Sequence, residues 1–198
     1  MANYKMHISI EGMDGVGKTS TCRLLSKKLG FKFIEKPLHY LFDTENSFEN
    51  YIRIRNYVNL QEDNKQFTSW FYGLGNIFLY HKFGNENIIT DRHLVSNYVW
   101  SGDKTSQIVF ECLTKILKNP DCTVILYTDD EVLKKRLKKR DKNDPDIEKI
   151  RFNKNNIKKM EEFVLKYNMK YYKIDTSNLS IEEVVDKILL ILRKEELV

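Results

Sequence analysis

Gly12-Met13-Asp14-Gly15-Val16-Gly17-Lys18-Thr19 satisfies the pattern G-x-x-x-x-G-K-[ST] in full. Glycines belong in such a loop because backbone N–H groups must turn inward around an anion, through conformations that a side chain obstructs. The lysine would reach β- and γ-phosphates as a point charge, and the hydroxyl after it suits Mg²⁺. Upstream, Met6–Ile10 reads as a strand. Downstream, Lys18–Leu29 reads as a helix stopped by Gly30, and its positive end would face the same anion. Strand, glycine loop and helix in that order imply a nucleoside triphosphate site. Gly12, Asp14, Gly15, Val16, Gly17, Lys18, Thr19 and Ser20 would surround the phosphates.

Working outward, Phe31–Glu35 reads as a second strand, followed by a long, mostly helical, aromatic-rich region from about Phe48 to Lys82. Asn87–Thr90 is a third strand ending on Asp91, and Cys122–Tyr127, bounded by Pro120, is a fourth. Thr128 and Glu131 have the spacing of a capping box at the head of a strongly basic helix. A polar loop, Lys142–Asp146, separates it from a helix running to about Tyr167, and Tyr171–Asp175 is a fifth strand. Ser180 and Glu183 cap a last helix whose Ile181, Val184, Val185, Ile188 and Leu192 share one face. Alternation of this kind predicts an α/β fold: a doubly wound, five-stranded parallel sheet in one domain spanning residues 1–198.

Composition agrees. Leu, Ile, Val and Phe make up 60 of the 198 residues, enough to build a core. No window approaches 18 consecutive apolar residues, so no membrane partner is expected, and Met1–Glu11 does not read as a signal peptide. Cys22, Cys112 and Cys122 form no C-x-x-C pair, which points to reduced thiols and a cytoplasmic location. A net charge of +5 is mild, and no nucleic-acid partner is expected. His7, His39, His81 and His93 have no metal-ligand spacing. A GTPase would carry an N-K-x-D guanine reader, but Asn153-Lys154 is followed by Asn155-Asn156. The length suits a small kinase better than a motor or a transporter ATPase.

A second constellation lies at the end of the third strand. Asp91 falls at the ligand edge of the sheet, where a carboxylate can hold Mg²⁺ or its waters, and Arg92 can clamp phosphates with its planar fork. Phosphoryl transfer needs chiefly positioning and charge neutralisation, which this pair could serve.

Three stretches together resemble the thymidylate kinase family: Glu11 to Thr19, Asp91-Arg92-His93-Leu94-Val95-Ser96-Asn97-Tyr98-Val99-Trp100, and Ile174-Asp175-Thr176. The middle one is similar to that family's D-R-[YH]-x-x-S-x-x-A-Y. The resemblance implies a P-loop nucleoside monophosphate kinase fold with a helical lid, here about residues 136–151, and ATP with Mg²⁺ as cofactors. It implies Lys18, Asp91, Arg92, Arg136 and Arg140 as catalytic, with Arg151 a possible contributor, and Thr19 and Asp91 as metal ligands. Some relatives carry an arginine at the position of Gly15, and those with glycine use lid arginines. On the acceptor side it implies Asp14 near the sugar, Asn97 and Trp100 along the nucleoside, and Phe71 stacked on the base. The family's base-reading arginine, four residues beyond the stacking ring, is replaced by Gly75 when counted from Phe71, with Asn76 next.

Arg53 and Arg55 lie where an acceptor monophosphate needs cations, with Arg53 the candidate; two apart on a helix, they cannot both face the site. A nucleoside acceptor would instead need a base for its 5′-hydroxyl, and Glu35 is placed for that role. The expected activity is transfer from ATP to a deoxynucleoside monophosphate, dTMP to dTDP, in a homodimer as the family implies. The alternatives are a deoxynucleoside kinase and a nucleotide-binding regulator without transfer activity.

Overall fold

The structure, a computed structural model, describes residues 5–43 and 47–198. The first four residues of the N-terminal stretch read above lie outside the described residues. Five strands, β1 (His7–Gly12), β2 (Lys32–Glu35), β3 (Ile88–Asp91), β4 (Cys122–Tyr127) and β5 (Tyr171–Asp175), form one parallel sheet in the order β2-β3-β1-β4-β5. This is the expected P-loop arrangement. The first strand is central, and β1, β3 and β4 are almost wholly buried, as strands covered by helices on both faces must be.

The register sets the site. Ile10 and Glu35 both pair with Asp91, while Gly12 pairs with Leu126 and Tyr127 with Asp175. The C-terminal ends of all five strands therefore open on one edge, the edge where ligands bind in such sheets.

Helix α1 (Lys18–Leu29) ends as predicted at Gly30, in the left-handed region at φ 69°. The long aromatic segment divides into α3 (Glu49–Asn59) and α4 (Lys65–Phe83), after a single turn α2 (His39–Phe42). Two helices that the sequence reading did not assign, α5 (Leu94–Ser101) and α6 (Gln107–Ile116), connect β3 to β4. Then come α7 (Asp130–Arg140), a 3₁₀ segment (Pro145–Phe152), α8 (Asn153–Lys166) and α9 (Ile181–Lys194).

The Ser180–Glu183 capping box forms as expected, and Val184, Val185, Ile188 and Leu192 are buried, whereas Ile181 is exposed. The Thr128–Glu131 box does not form. Asp129 is the N-cap of α7, with no side-chain cap bond, and the Thr128 hydroxyl lies 3.2 Å from Ser177 Oγ beyond β5. A tertiary partner has displaced a local one. The lysines of α7 (Lys134, Lys135, Lys138 and Lys139) are exposed, while Leu133 and Leu137 bury the opposite side. Among the described residues no helix is long and apolar enough to cross a membrane.

Candidate active site

The glycine loop leaves β1 and enters α1 through positive φ at Gly12, Gly15 and Gly17. Two of these glycines are also required by space. A Cβ on Gly12 would stand 2.4 Å from the Leu126 carbonyl oxygen of the paired strand. At Gly15 it would stand 2.9 Å from Leu133 Cδ1 and from Leu137 Cδ2, so the loop rests directly on the apolar side of α7.

Lys18 folds back across the loop, where Nζ donates to the Met13 carbonyl at 2.8 Å and lies 3.8 Å from Asp14 Oδ1. Burial, then the Arg92 charge, pulls its ammonium below the usual lysine range, with Asp14, Asp91 and Glu11 opposing. Phosphate oxygens, which favour the charged form, would complete such a site. Ser20, on the first turn of α1, is exposed.

Arg92 follows β3 with φ 79°, in the left-handed region. Its Nη2 donates to Asp14 Oδ1 at 2.6 Å, and Nη1 donates to the Gly12 carbonyl and to Ser96 Oγ, both at 3.2 Å. Burial pushes the Asp14 carboxyl up, but Arg92 and Lys18 outweigh it and hold the group well below the usual carboxylate range. Behind this pair Glu11 is fully buried, accepting the Ser9 hydroxyl at 2.7 Å on Oε1 and the Ser96 hydroxyl on Oε2.

Thr19 Oγ1 donates to Asp91 Oδ2, while Asp91 Oδ1 is buried without a protein partner. Hydroxyl and carboxylate oxygens converging beside the phosphate loop are the hard donors that Mg²⁺ takes together with phosphate oxygens. No cluster of three His, Cys, Asp or Glu side chains able to hold a metal occurs among the described residues. Thr19 and Asp91 thus fit an ion shared with a nucleotide rather than one caged by protein.

From Arg92 a cleft of about 740 Å³ extends between α3, α4, α5 and the 3₁₀ segment. Asp14, Asp91, Arg92, Asn97 and Trp100 line it, as do Lys65, Thr68, Tyr72, Gly75 and Asn76 of α4. Asn97 Nδ2 donates to the Ser69 carbonyl at 3.0 Å, and its Oδ1 is buried without a protein partner. Phe71 is not among the lining residues; it stacks on Phe42 at 6.4 Å between ring centroids. Of Trp70, Phe71 and Tyr72 it is Tyr72 that lines the cleft, and four residues beyond it stands Asn76 rather than Gly75. Gly75 serves packing instead, since a Cβ there would meet Leu38 Cγ at 3.3 Å. Similarly, Arg55 lines the cleft, while Arg53 is exposed and absent from its lining. Glu35 pairs in register with Asp91 and lies 3.0 Å from Lys36 Nζ.

The predicted lid disperses its cations. Arg136 donates to Thr176 Oγ1 at 2.9 Å and to the Thr176 carbonyl at 2.6 Å. Arg140 is held by Asp144 at 2.6 Å and Asp146 at 2.7 Å, and Arg151 lies over the Phe152 ring at 4.7 Å. The cation this segment brings to the cleft is Lys149, 2.7 Å from Asp146 and 5.5 Å from the centroid of Trp100. Sequence reasoning missed Lys149, Glu11, Ser96, Tyr72 and Asn76. The helical period from Lys65 through Thr68 to Tyr72, Gly75 and Asn76 was the signal available for the last two.

A parallel sheet with a phosphate loop after its central strand, a cation–carboxylate pair on the neighbouring strand and an adjoining cleft defines a P-loop phosphotransferase. The model of the family described as "Thymidylate kinase" matches residues 10–188, and the chain belongs to that family. It is accordingly a nucleotide kinase. Two proteins of Methanocaldococcus jannaschii are each 27% identical to it. One, provisionally named a thymidylate kinase, aligns over 190 residues, 93% of this chain and 94% of its own. The other, provisionally named an adenylate kinase, aligns over 185 residues, 93% and 84%. Among solved structures, deoxyadenosine kinase from M. mycoides with bound dCTP superposes with a TM-score of 0.64 at 20% identity, covering 96% of this chain and all of that one. At that identity it attests the fold.

Proposed function

We propose that the chain transfers the γ-phosphoryl group of ATP to the 5′-phosphate oxygen of a deoxynucleoside monophosphate, dTMP foremost, releasing ADP and the deoxynucleoside diphosphate. The observation carrying this reading is the continuity of the phosphate loop with the acceptor cleft through Arg92, whose guanidinium spans Gly12, Asp14 and Ser96 at their junction. In line transfer leaves the protein to position and neutralise. Lys18 would bridge β- and γ-phosphates, and Arg92 would follow the moving group. Thr19 and Asp91 would hold Mg²⁺, which supplies further charge neutralisation when bound. Arg136, Arg140 and Lys149 would turn from their present partners toward the nucleotide as residues 136–151 close.

In the cleft Tyr72 would stack on the base, with Asn76 and the free Oδ1 of Asn97 on its edge. Arg55, whose guanidinium donates to the neutral Asn56 amide and lies 5.9 Å from the Tyr51 ring centroid, would take the acceptor phosphate. The test is ADP release with Mg-ATP against deoxynucleosides and their 5′-monophosphates, with product masses. A diphosphate formed best from dTMP is the expected result. Glu35 favours the second reading: a monophosphate product from a nucleoside would make it the base for the 5′-hydroxyl. Binding of ATP without turnover on any acceptor would leave the regulator.

The same reading takes residues 1–198 as one catalytic domain of a cytoplasmic homodimer with small-molecule rather than nucleic-acid or membrane partners. Phe67, Trp70 and Leu74, exposed in a row on α4, support self-association. Cys22, Cys112 and Cys122, all free thiols, support a reducing compartment. Sedimentation at several concentrations tests the dimer.

A further inference from the structure

Glu11 does not itself line the cleft, yet among the described residues it is the one fully buried carboxylate beside the phosphate loop. Its neighbours along β1, Ile8 and Ile10, meet the core with hydrocarbon at the same burial. A carboxylate in such a place is costly unless its oxygens are satisfied. They are met by two hydroxyls, Ser9 on Oε1 at 2.7 Å and Ser96 on Oε2, with the His93 backbone N–H adding to them.

The direction of these bonds matters. Burial pushes the Glu11 carboxyl up, with the Ser96 and Ser9 hydroxyls and the Arg92 charge opposing it. As a carboxylate it only accepts, so it fixes the single proton of the Ser96 hydroxyl on itself. The lone pairs of Ser96 Oγ then have one orientation left, and they meet Arg92 Nη1 at 3.2 Å. Ser96 stands four residues after Arg92, in the first turn of α5, so α5 carries the link without a long side chain. Arg92 itself sits at φ 79°, in the left-handed region that a non-glycine residue occupies only under strain, so it persists because surrounding contacts hold it.

We propose that Glu11 is a positioning residue for phosphoryl transfer: acting through Ser96, it fixes the Nη1 edge of Arg92, so that the guanidinium is already aimed when substrates arrive. The two remaining contacts of Arg92, with Gly12 and Asp14, lie on the phosphate loop itself, and the Glu11–Ser96 pair adds an anchor from α5. This rests on the role given above to Arg92.

The test compares Ser96→Ala, Glu11→Gln and Arg92→Ala, singly and with Arg92→Ala combined with each of the others. The glutamine can turn its amide donor toward Ser96 and reverse the hydroxyl, so it tests polarity with little change of shape. Ser96→Ala and Glu11→Gln should each lower kcat about tenfold or more, with KM for ATP within about threefold of wild type. Neither should add to the loss already caused by Arg92→Ala. Arginine side-chain NMR gives a readout independent of turnover, because rotation about the Arg92 Nε–Cζ bond should quicken in both variants.

Unchanged kcat and unchanged rotation in Ser96→Ala, with Arg92→Ala impaired, overturn the positioning role and leave the proposed activity standing. Losses that add to that of Arg92→Ala, or that follow thermal midpoint alone, overturn it as well. Wild-type turnover in Arg92→Ala overturns both readings.

Discussion

Arg92 Nη2 and Asp14 Oδ1 stand 2.6 Å apart, so the cation after β3 is held by an acid of the phosphate loop. The pair ties the two halves of the site together, and each partner sets the other's charge. Arg92 feels burial against it, outweighed by Asp14, Asp91 and Glu11, which keep its guanidinium firmly protonated. Lys18, bent over the loop onto the Met13 carbonyl, brings a second cation to the same place.

Lys18→Ala removes the ammonium that lies inside the loop and should cut kcat by on the order of a thousandfold. Its thermal midpoint should stay near wild type, since the lysine makes one carbonyl bond and one long ion pair. Steady-state assay beside a melting curve checks this; near-normal turnover would remove Lys18 from the mechanism.

Gly15→Ala places a methyl 2.9 Å from Leu133 and Leu137 at a residue whose φ is 88°. Strain and overpacking together should destabilise the fold by about 1–3 kcal/mol, read by chemical denaturation. Because the pushed element is α7, KM for ATP should rise too.

On the acceptor side, Tyr72→Ala and Asn76→Ala should raise KM for the acceptor about tenfold while leaving KM for ATP alone. Phe71→Ala, which loses its stack on Phe42, should act on stability instead. The reverse pattern would return base stacking to Phe71.

Acid should weaken the fold through two buried histidines. Burial, with Lys118 adding, holds His7 neutral down to about 3, and burial followed by His7 holds His93 well below its usual value of 6.5. Below 6.5 the unfolded chain binds protons that the folded chain refuses. Stability contributed by neutral His7 is therefore complete above that value and declines as pH falls toward 3. Each such group contributes a slope of up to ~1.4 kcal/mol per pH unit. His93, whose two ring nitrogens lie buried without a protein partner, can be tested by His93→Phe. Denaturant midpoints between about pH 6 and 4.5 should fall less steeply in that variant. An unchanged slope would assign the acid sensitivity elsewhere.

Much of this was legible in the chain. Cys122–Tyr127 and Tyr171–Asp175 coincide with β4 and β5, and Lys18–Leu29 with α1, because β-branched runs and glycine stops are local signals. The phosphate loop and Asp91-Arg92 were readable from spacing. Features that depend on a distant partner were not. Thr128 yields its hydroxyl to Ser177, across 49 residues, and Glu11 acquires its meaning only from Ser96, 85 residues on. Phe71 was chosen where Tyr72 lines the cleft, because an aromatic cluster, Trp70-Phe71-Tyr72, does not declare which ring faces it. Lys149 and Arg140 were hidden in another way, since both are drawn to Asp146, one on each carboxylate oxygen, a pairing that exists only in space.

The central place of β1 has a consequence for the order in which the protein is made. Its two sheet neighbours begin at Ile88 and Cys122, so β1 must wait until both have been made before it can pair on both sides. The phosphate loop waits longer, because Thr176 Oγ1, which reaches the Val16 carbonyl at 3.4 Å, arrives 160 residues later. A ribosome-bound chain halted before β5 should therefore present Ile8 and Ile10 to chaperones and hold no nucleotide. Protection by the ligand would then reach the molecule only after β5 has been made.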